Sequence, residues 1–145
     1  MAAKRKCGFF FVGSTYDVPL ASQSVDAVTL LFSPFCREEI LRVLKENGIF
    51  LMAVPGEDHL WELKQALYET PYRNEVQGTQ IEGFTLLKKT EINDRITVET
   101  QEEIAALFSM TPYYYKTSRE GHERLAKLTK LETAISFTLL VYRKQ

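Results

Sequence analysis

Cysteine is scarce: Cys7 and Cys36 are the only two in 145 residues, and they form neither a C-x-x-C pair nor a disulfide framework. That spacing argues against a zinc site within the chain and fits a reducing, cytoplasmic setting. An excess of one charge sign is also missing. The formal net charge of -1 excludes the whole chain as a non-specific nucleic-acid binder, although a local basic patch would vanish in that average. No apolar run is long enough to cross a membrane, and there is no internal repeat or low-complexity tract. Residues 1–6 before the apolar residues 7–12 imitate a secretory leader, but the apolar stretch is short and no small-residue cleavage site follows promptly. What is there, 45% hydrophobic and 26% charged residues, is the composition of a single globular domain over 1–145 with a real core.

The first half of the chain alternates in character. Residues 9–12, Phe9-Phe10-Phe11-Val12, form an apolar run ending at Gly13, residues 25–32 form a second, broken by Asp26 and Thr29, and residues 49–54 form a third. Such runs suit strands buried on both faces of a parallel sheet. Between the last two, residues 36–45 place Ile40, Leu41 and Leu44 on one helical face, with Asn47-Gly48 as the stop, which completes a β-α-β unit. After Pro55-Gly56 the helical spacing of Leu60, Leu63 and Leu67 continues until Thr70-Pro71.

The second half reads differently. Residues 84–87 and 95–99 are strand-like pieces around a polar 91–94. Thr100-Gln-Glu-Glu103 is a capping box before residues 104–108, and Thr117-Ser-Arg-Glu120 is a second, opening a helix to about residue 129. Residues 134–142 read as a strand with unequal faces.

These residues carry a resemblance. "DVPLASQSVDAVTLLFSPF" followed by "EEILRVLKENGIFLMAVPGEDHLWELKQALYE" is similar to the downstream half of class I S-adenosylmethionine-dependent methyltransferases. Pro55-Gly56 with His59-Leu60 and Glu62-Leu63-Lys64, then "EGFTLLKK" and "LFSMTPYYYK", resembles the bacterial 23S rRNA guanine-N1 methyltransferases over nearly the whole chain. The resemblance implies an incomplete α/β, Rossmann-like sheet: parallel strands followed by an antiparallel C-terminal hairpin with helices. It also shows what is missing. The family's N-terminal zinc module and glycine-rich cofactor loop have no counterpart, since the glycines at 8, 13, 48, 56, 78, 83 and 121 are too far apart to build that loop. Residues 2–5 resemble the end of the helix after the family's second strand.

Candidate site residues carry two readings each. Gly13-Ser14 is by spacing a turn, whereas the resemblance places it against the adenine of the cofactor. Phe32-Ser33-Pro34-Phe35 is by sequence a helix entry, Ser33 as N-cap and Pro34 in the first helical position; the resemblance puts it at the mouth of the strand, among the groups around the transferred methyl. His59 alone reads as a surface or capping side chain, and the resemblance makes it a contact to the methionine carboxylate or a ribose hydroxyl. Asp26 reads as a tie to the backbone and His122 as solvated. Tyr113-Tyr114-Tyr115-Lys116 beside Arg119, Arg124, Lys127 and Lys130 reads either as a core edge with a solvated helix or as an RNA-binding surface. On the second reading Tyr113 and Tyr114 stack on bases and Lys116 meets phosphate.

Two functions follow for the chain. One is the cofactor-flanking and substrate-facing part of an S-adenosylmethionine-dependent methyltransferase acting on N1 of a guanine in 23S rRNA, with weak or no cofactor binding and no turnover expected of this chain alone. The other is a non-catalytic fragment that self-associates and at most binds RNA. Small-molecule methyltransferases rank third, because they have no need of the M-T-P-Y-Y-Y-K stretch. Self-association is expected because the first strand would lose its sheet neighbours and expose an apolar edge.

Overall fold

The computed structural model describes residues 8–75 and 78–145, so the expected helix end at residues 2–5 lies outside the described residues. In chain order the elements are β1 (Val25–Leu31), α1 (Arg37–Val43), β2 (Leu44–Pro55), α2 (Trp61–Leu67), β3 (Phe84–Val98), α3 (Gln101–Ser109), a 3-10 turn (Pro112–Tyr115), α4 (Arg119–Leu125) and β4 (Leu131–Lys144). The strands lie in the order β1-β2-β4-β3. β1 and β2 run parallel, joined by α1 as a β-α-β unit, and β4 runs antiparallel to both β2 and β3. Among the described residues no helix is long and apolar enough to cross a membrane.

The alternation along β2 and β4 sets the core. Phe50 and Met52 share a face with Leu140 and Tyr142, and Ile40 of α1 packs on them together with Leu44 and Phe84. The Phe50 ring lies 5.5 Å from Phe84 and 5.9 Å from Tyr142, so aromatic contacts fill the centre of this layer. A second cluster gathers Leu60, Leu63 and Leu67 with Ile104, Phe108, Leu125 and Leu131. α4 is tied to α2 by Arg124, whose guanidinium donates to the Leu67 carbonyl at 2.6 Å and so caps the carboxyl end of α2. On the other face of the sheet Leu51, Leu139 and Val141 are half-buried and Leu31 is exposed. β1 is therefore not buried on both faces as its apolar run suggests: it is an edge strand with one covered face.

Several local expectations are corrected. α1 ends at Val43 rather than residue 45, because Leu44 already pairs with Val25, and Asn47-Gly48 serves the bulge between that pair and the Ala27–Ile49 pair. Asn47 takes a left-handed φ of 61° there. Pro55-Gly56 does not open α2. Gly56 donates to the Ser136 carbonyl and Leu60 to that of Ala134, so residues 56–60 run on beside β4 before the helix begins. Residues 84–98 are one continuous strand, and the polar 91–94 pair with β4 like their neighbours, because ladder hydrogen bonds are made by backbone and are indifferent to side-chain polarity. The Thr100 cap holds, with its hydroxyl accepting from Glu103 N–H at 3.2 Å. For α4 the N-cap is Ser118, accepting from Gly121 N–H, while Thr117 spends its hydroxyl on the Tyr113 carbonyl; α4 ends at Leu125.

The expected strand at residues 9–12 is absent. Phe9 and Val12 are fully exposed and Phe10 and Phe11 more than half so, and the chain then folds into a local turn closed by the Ser14–Asp17 bridge. Strand propensity alone does not make a strand; a paired neighbour does, and none stands beside this segment among the described residues.

Candidate active-site cleft

A cleft of about 620 Å³ opens at the carboxyl ends of β1 and β2, the end where open α/β sheets bind ligands. One wall is Phe32, Ser33, Pro34 and Phe35, which follow β1. Val54 and Pro55 at the end of β2, with His59 and Leu60 beyond it, form the floor, and Leu107 with residues 110–113 forms the opposite wall. The lining is mostly apolar and aromatic, with Ser33, His59, Thr111 and Tyr113 as the side chains bearing polar atoms.

Phe32 is bent into position. Its N–H still bonds the Ala53 carbonyl, but its φ of 52° lies in the left-handed region, a strained choice for a bulky residue that turns its ring out to the mouth. The ring is parallel to that of His59 within 6°, with centroids 6.1 Å apart, and tilts against Phe137 at 5.0 Å. Ser33 is not the N-cap of α1: Cys36 holds that place and α1 starts at Arg37, which leaves Ser33 and Pro34 extended along the cleft.

His59 is held as a neutral donor. Its Nδ1 accepts a hydrogen bond from Ser136 N–H at 3.3 Å, which leaves the ring proton on Nε2. Burial lowers its pKa to about 4, and the positive charge of Lys64 pushes the same way. At neutral pH the imidazole therefore offers an N–H rather than a charge. Gly56 is essential to this arrangement, because a Cβ there would collide with the Ser136 side chain and push β4 from the loop that carries His59.

The remaining candidates separate. Tyr113 lines the cleft, and burial pushes its phenol up to about 12. Tyr114 turns away to pack on Phe108 and His122 at 5.3 and 5.6 Å, and Lys116 is exposed just beyond. Gly13 and Ser14 are not brought to the cleft; Ser14 is engaged in its own turn, accepting from Tyr16 N–H. His122 is half-buried against Phe108 rather than solvated, and Asp26 forms an ion pair with Lys45 at 2.7 Å instead of tying down backbone. Phe32 and Phe35 line the cleft together with Ser33 and Pro34, the stretch singled out in the sequence, whereas Met110 had no lining role there although it opens the M-T-P motif. Among the described residues no cluster of three or more His, Cys, Asp or Glu side chains could hold a metal ion.

No family model matches the chain. By sequence it is 28% identical over 137 residues to YxjB of Bacillus subtilis (strain 168), provisionally named a 23S rRNA (guanine-N(1)-)-methyltransferase. That alignment covers 92% of this chain and 49% of the relative, so the chain spans about half the length of the curated relative it matches. Among solved structures it is similar to BH2331 of Bacillus halodurans C-125, provisionally named a methyltransferase, with a TM-score of 0.53 and 16% identity over 91% of this chain and 69% of the other. YcgJ of Bacillus subtilis overlays at 0.48 with 13% identity over 92% of this chain and 69% of the other. The fold is thus a partial, Rossmann-like α/β sheet like that of BH2331, and by sequence the chain resembles YxjB over about half of that protein's length.

Proposed function

We propose that the chain carries the acceptor side of an S-adenosylmethionine-dependent methyltransferase site and that its cleft receives a guanine of 23S rRNA. The observation that carries this reading is the cleft itself, a flat-walled apolar slot between the Phe32–Phe35 segment and Tyr113 with one neutral donor, His59, at its floor. A purine removed from its stack would exchange base contacts for those rings, and the His59 Nε2–H can donate to a carbonyl oxygen on the base or to a ribose hydroxyl. Tyr113 walls the base, Tyr114 holds the turn against α3, and Lys116 lies outside where a phosphate would pass. The residues do positioning work: they exclude water and fix the base edge, which is most of what methyl transfer to a ring nitrogen demands. The reading treats residues 1–145 as one domain and goes with a cytoplasmic location.

The cofactor fits only in part. It supplies an electrophilic methyl group when bound, and on this reading Ser33, Pro34 and His59, which line one cleft, would hold its reactive end. Gly13 and Ser14, expected at the adenine, lie outside the cleft, so the chain alone lacks a full cradle. Calorimetric titration with S-adenosylmethionine should therefore show weak or no binding, with any binding reduced in His59→Ala, and labelled cofactor should give no methyl transfer to 23S rRNA above a heat-killed control. A tight complex or clear turnover by the chain alone would overturn this account of the cofactor side.

A second reading, a self-associating chain, is favoured by a separate observation. β1 is hydrogen-bonded on one side only among the described residues, and the exposed Phe9–Phe11 and Val12 stand unpaired in the same molecule. A free strand edge and a free strand-forming segment suit two copies exchanging that segment.

A further inference from the structure

Lys64 is 1% exposed, an unusual state for an ammonium group. It sits on α2 among the apolar residues of the second core cluster, and among the described residues no carboxylate lies within ion-pair distance of it. Its Nζ donates to the Asn74 Oδ1 at 2.6 Å and to the Tyr72 carbonyl at 3.1 Å. The remaining directions face aromatic rings, with Nζ 4.5 Å from the Tyr72 centroid and 5.2 Å from that of Tyr113. Burial without a counter-ion is costly, and a leucine or methionine at this helix position would avoid the cost entirely.

What the Lys64 ammonium organises can be traced through Asn74. An ammonium has only donors, so it fixes which end of the Asn74 amide faces it. The amide NH2 is thereby turned to the carbonyls of Gly56, at 2.8 Å, and His59, at 3.4 Å, while Asn74 N–H holds the Glu57 carbonyl at 3.0 Å. The loop that presents His59 is thus pinned from behind by Asn74, and Asn74 is oriented by Lys64. Across the cleft, Tyr113 lays its ring toward the same ammonium. The two walls share one buried charge.

We propose that Lys64 is a positioning residue whose buried ammonium clamps the His59 loop, through Asn74, to the ring of Tyr113 and so fixes the spacing of the cleft walls. The consequence for a bound base rests on the acceptor-site reading above, whereas the clamp itself is a property of the chain and is tested without ligand. In Lys64→Met, which keeps length and volume, hydrogen exchange at the Asn74 side-chain amide should accelerate at least tenfold, and the His59 and Tyr113 ring signals should shift. The ring signals of Phe50 and Tyr142, in the other core cluster, should stay in place. A second pair of variants reads the clamp from its far side and leaves Lys64 intact. Tyr113→Phe, which keeps a ring over the ammonium, should leave Asn74 exchange and the His59 signals unchanged; Tyr113→Leu should move both. Unchanged Asn74 and His59 signals in Lys64→Met, or equal behaviour of Tyr113→Phe and Tyr113→Leu, would overturn the proposal. Guanosine 5'-monophosphate added to the wild-type chain then separates the two ideas, because failure to bind counts against the acceptor reading and leaves the exchange result standing.

Discussion

Lowering the pH from 7 to 4 will cost the folded chain about 2 kcal/mol at His59, the size expected for a half-buried group with a shift of this direction after allowance for solvent screening. The imidazole is held near pKa 4 in the fold, by burial first and by Lys64 second, against 6.5 in an unfolded chain. Above 6.5 neither state binds the proton and the contribution is fully present. Between 6.5 and 4 the unfolded chain takes up a proton that the folded chain refuses, so stability is lost as the pH falls through this window. The cause is geometric as well as dielectric: Nδ1 already accepts from Ser136 N–H, and a proton there would face a donor. Urea denaturation at a series of pH values checks this, with His59→Phe as the reference that cannot titrate. The variant should lose about 2 kcal/mol less than the wild type over the window, and identical slopes for the two proteins would contradict the assignment.

Light scattering will report a mass of twice 16.7 kDa or more for the purified chain, and Phe10→Lys will reduce it to that of a single chain. Phe9, Phe10, Phe11 and Val12 are exposed together, and each large apolar side chain gains about 1.5–3 kcal/mol on full burial. Covering the segments of two copies is a gain on the scale of the roughly 4–15 kcal/mol lost in association. Closure within one molecule is restrained, because the connection to β1 is fastened to α1: Arg42 donates to the Val18 and Leu20 carbonyls, and Glu39 accepts from Val18 N–H. The segment is therefore free to reach a second copy while its anchor stays put. A lone chain over a wide range of concentration would refute self-association.

The parts of the fold that were legible in the sequence are those set by local pattern. The β-α-β unit followed from two apolar runs flanking Ile40, Leu41 and Leu44, and the cap at Thr100 followed from a side chain that satisfies a helix N–H in place, whereas the second cap was expected at Thr117, one residue before the Ser118 that serves it. What the sequence hid depends on partners distant in the chain. Residues 91–94 look like a break until β4 is beside them, and residues 9–12 look like a strand until no neighbour appears. In the site, His59 and Tyr113 stood out by type and motif, but which ring nitrogen of His59 carries the proton is decided by Ser136, 77 residues away, and its neutral state by burial. Lys64 belongs to a motif but had no role legible in it, since a lysine on a short helix reads as a solvated side chain, whereas here it is buried. Phe32 stood in the stretch at the strand mouth, but its left-handed turn was not legible, since phenylalanine carries no signal for that conformation.

Whether the cleft is an acceptor site for a purine is decided by titrating the labelled chain with guanosine 5'-monophosphate and following individual side-chain signals by NMR. Saturable shifts are expected at Phe32, His59 and Tyr113, the rings that line the cleft, with loss of the response in Phe32→Ala. Shifts confined to the exposed Lys116 and Arg119, as for phosphate meeting surface charge, or no shifts at all, would contradict it.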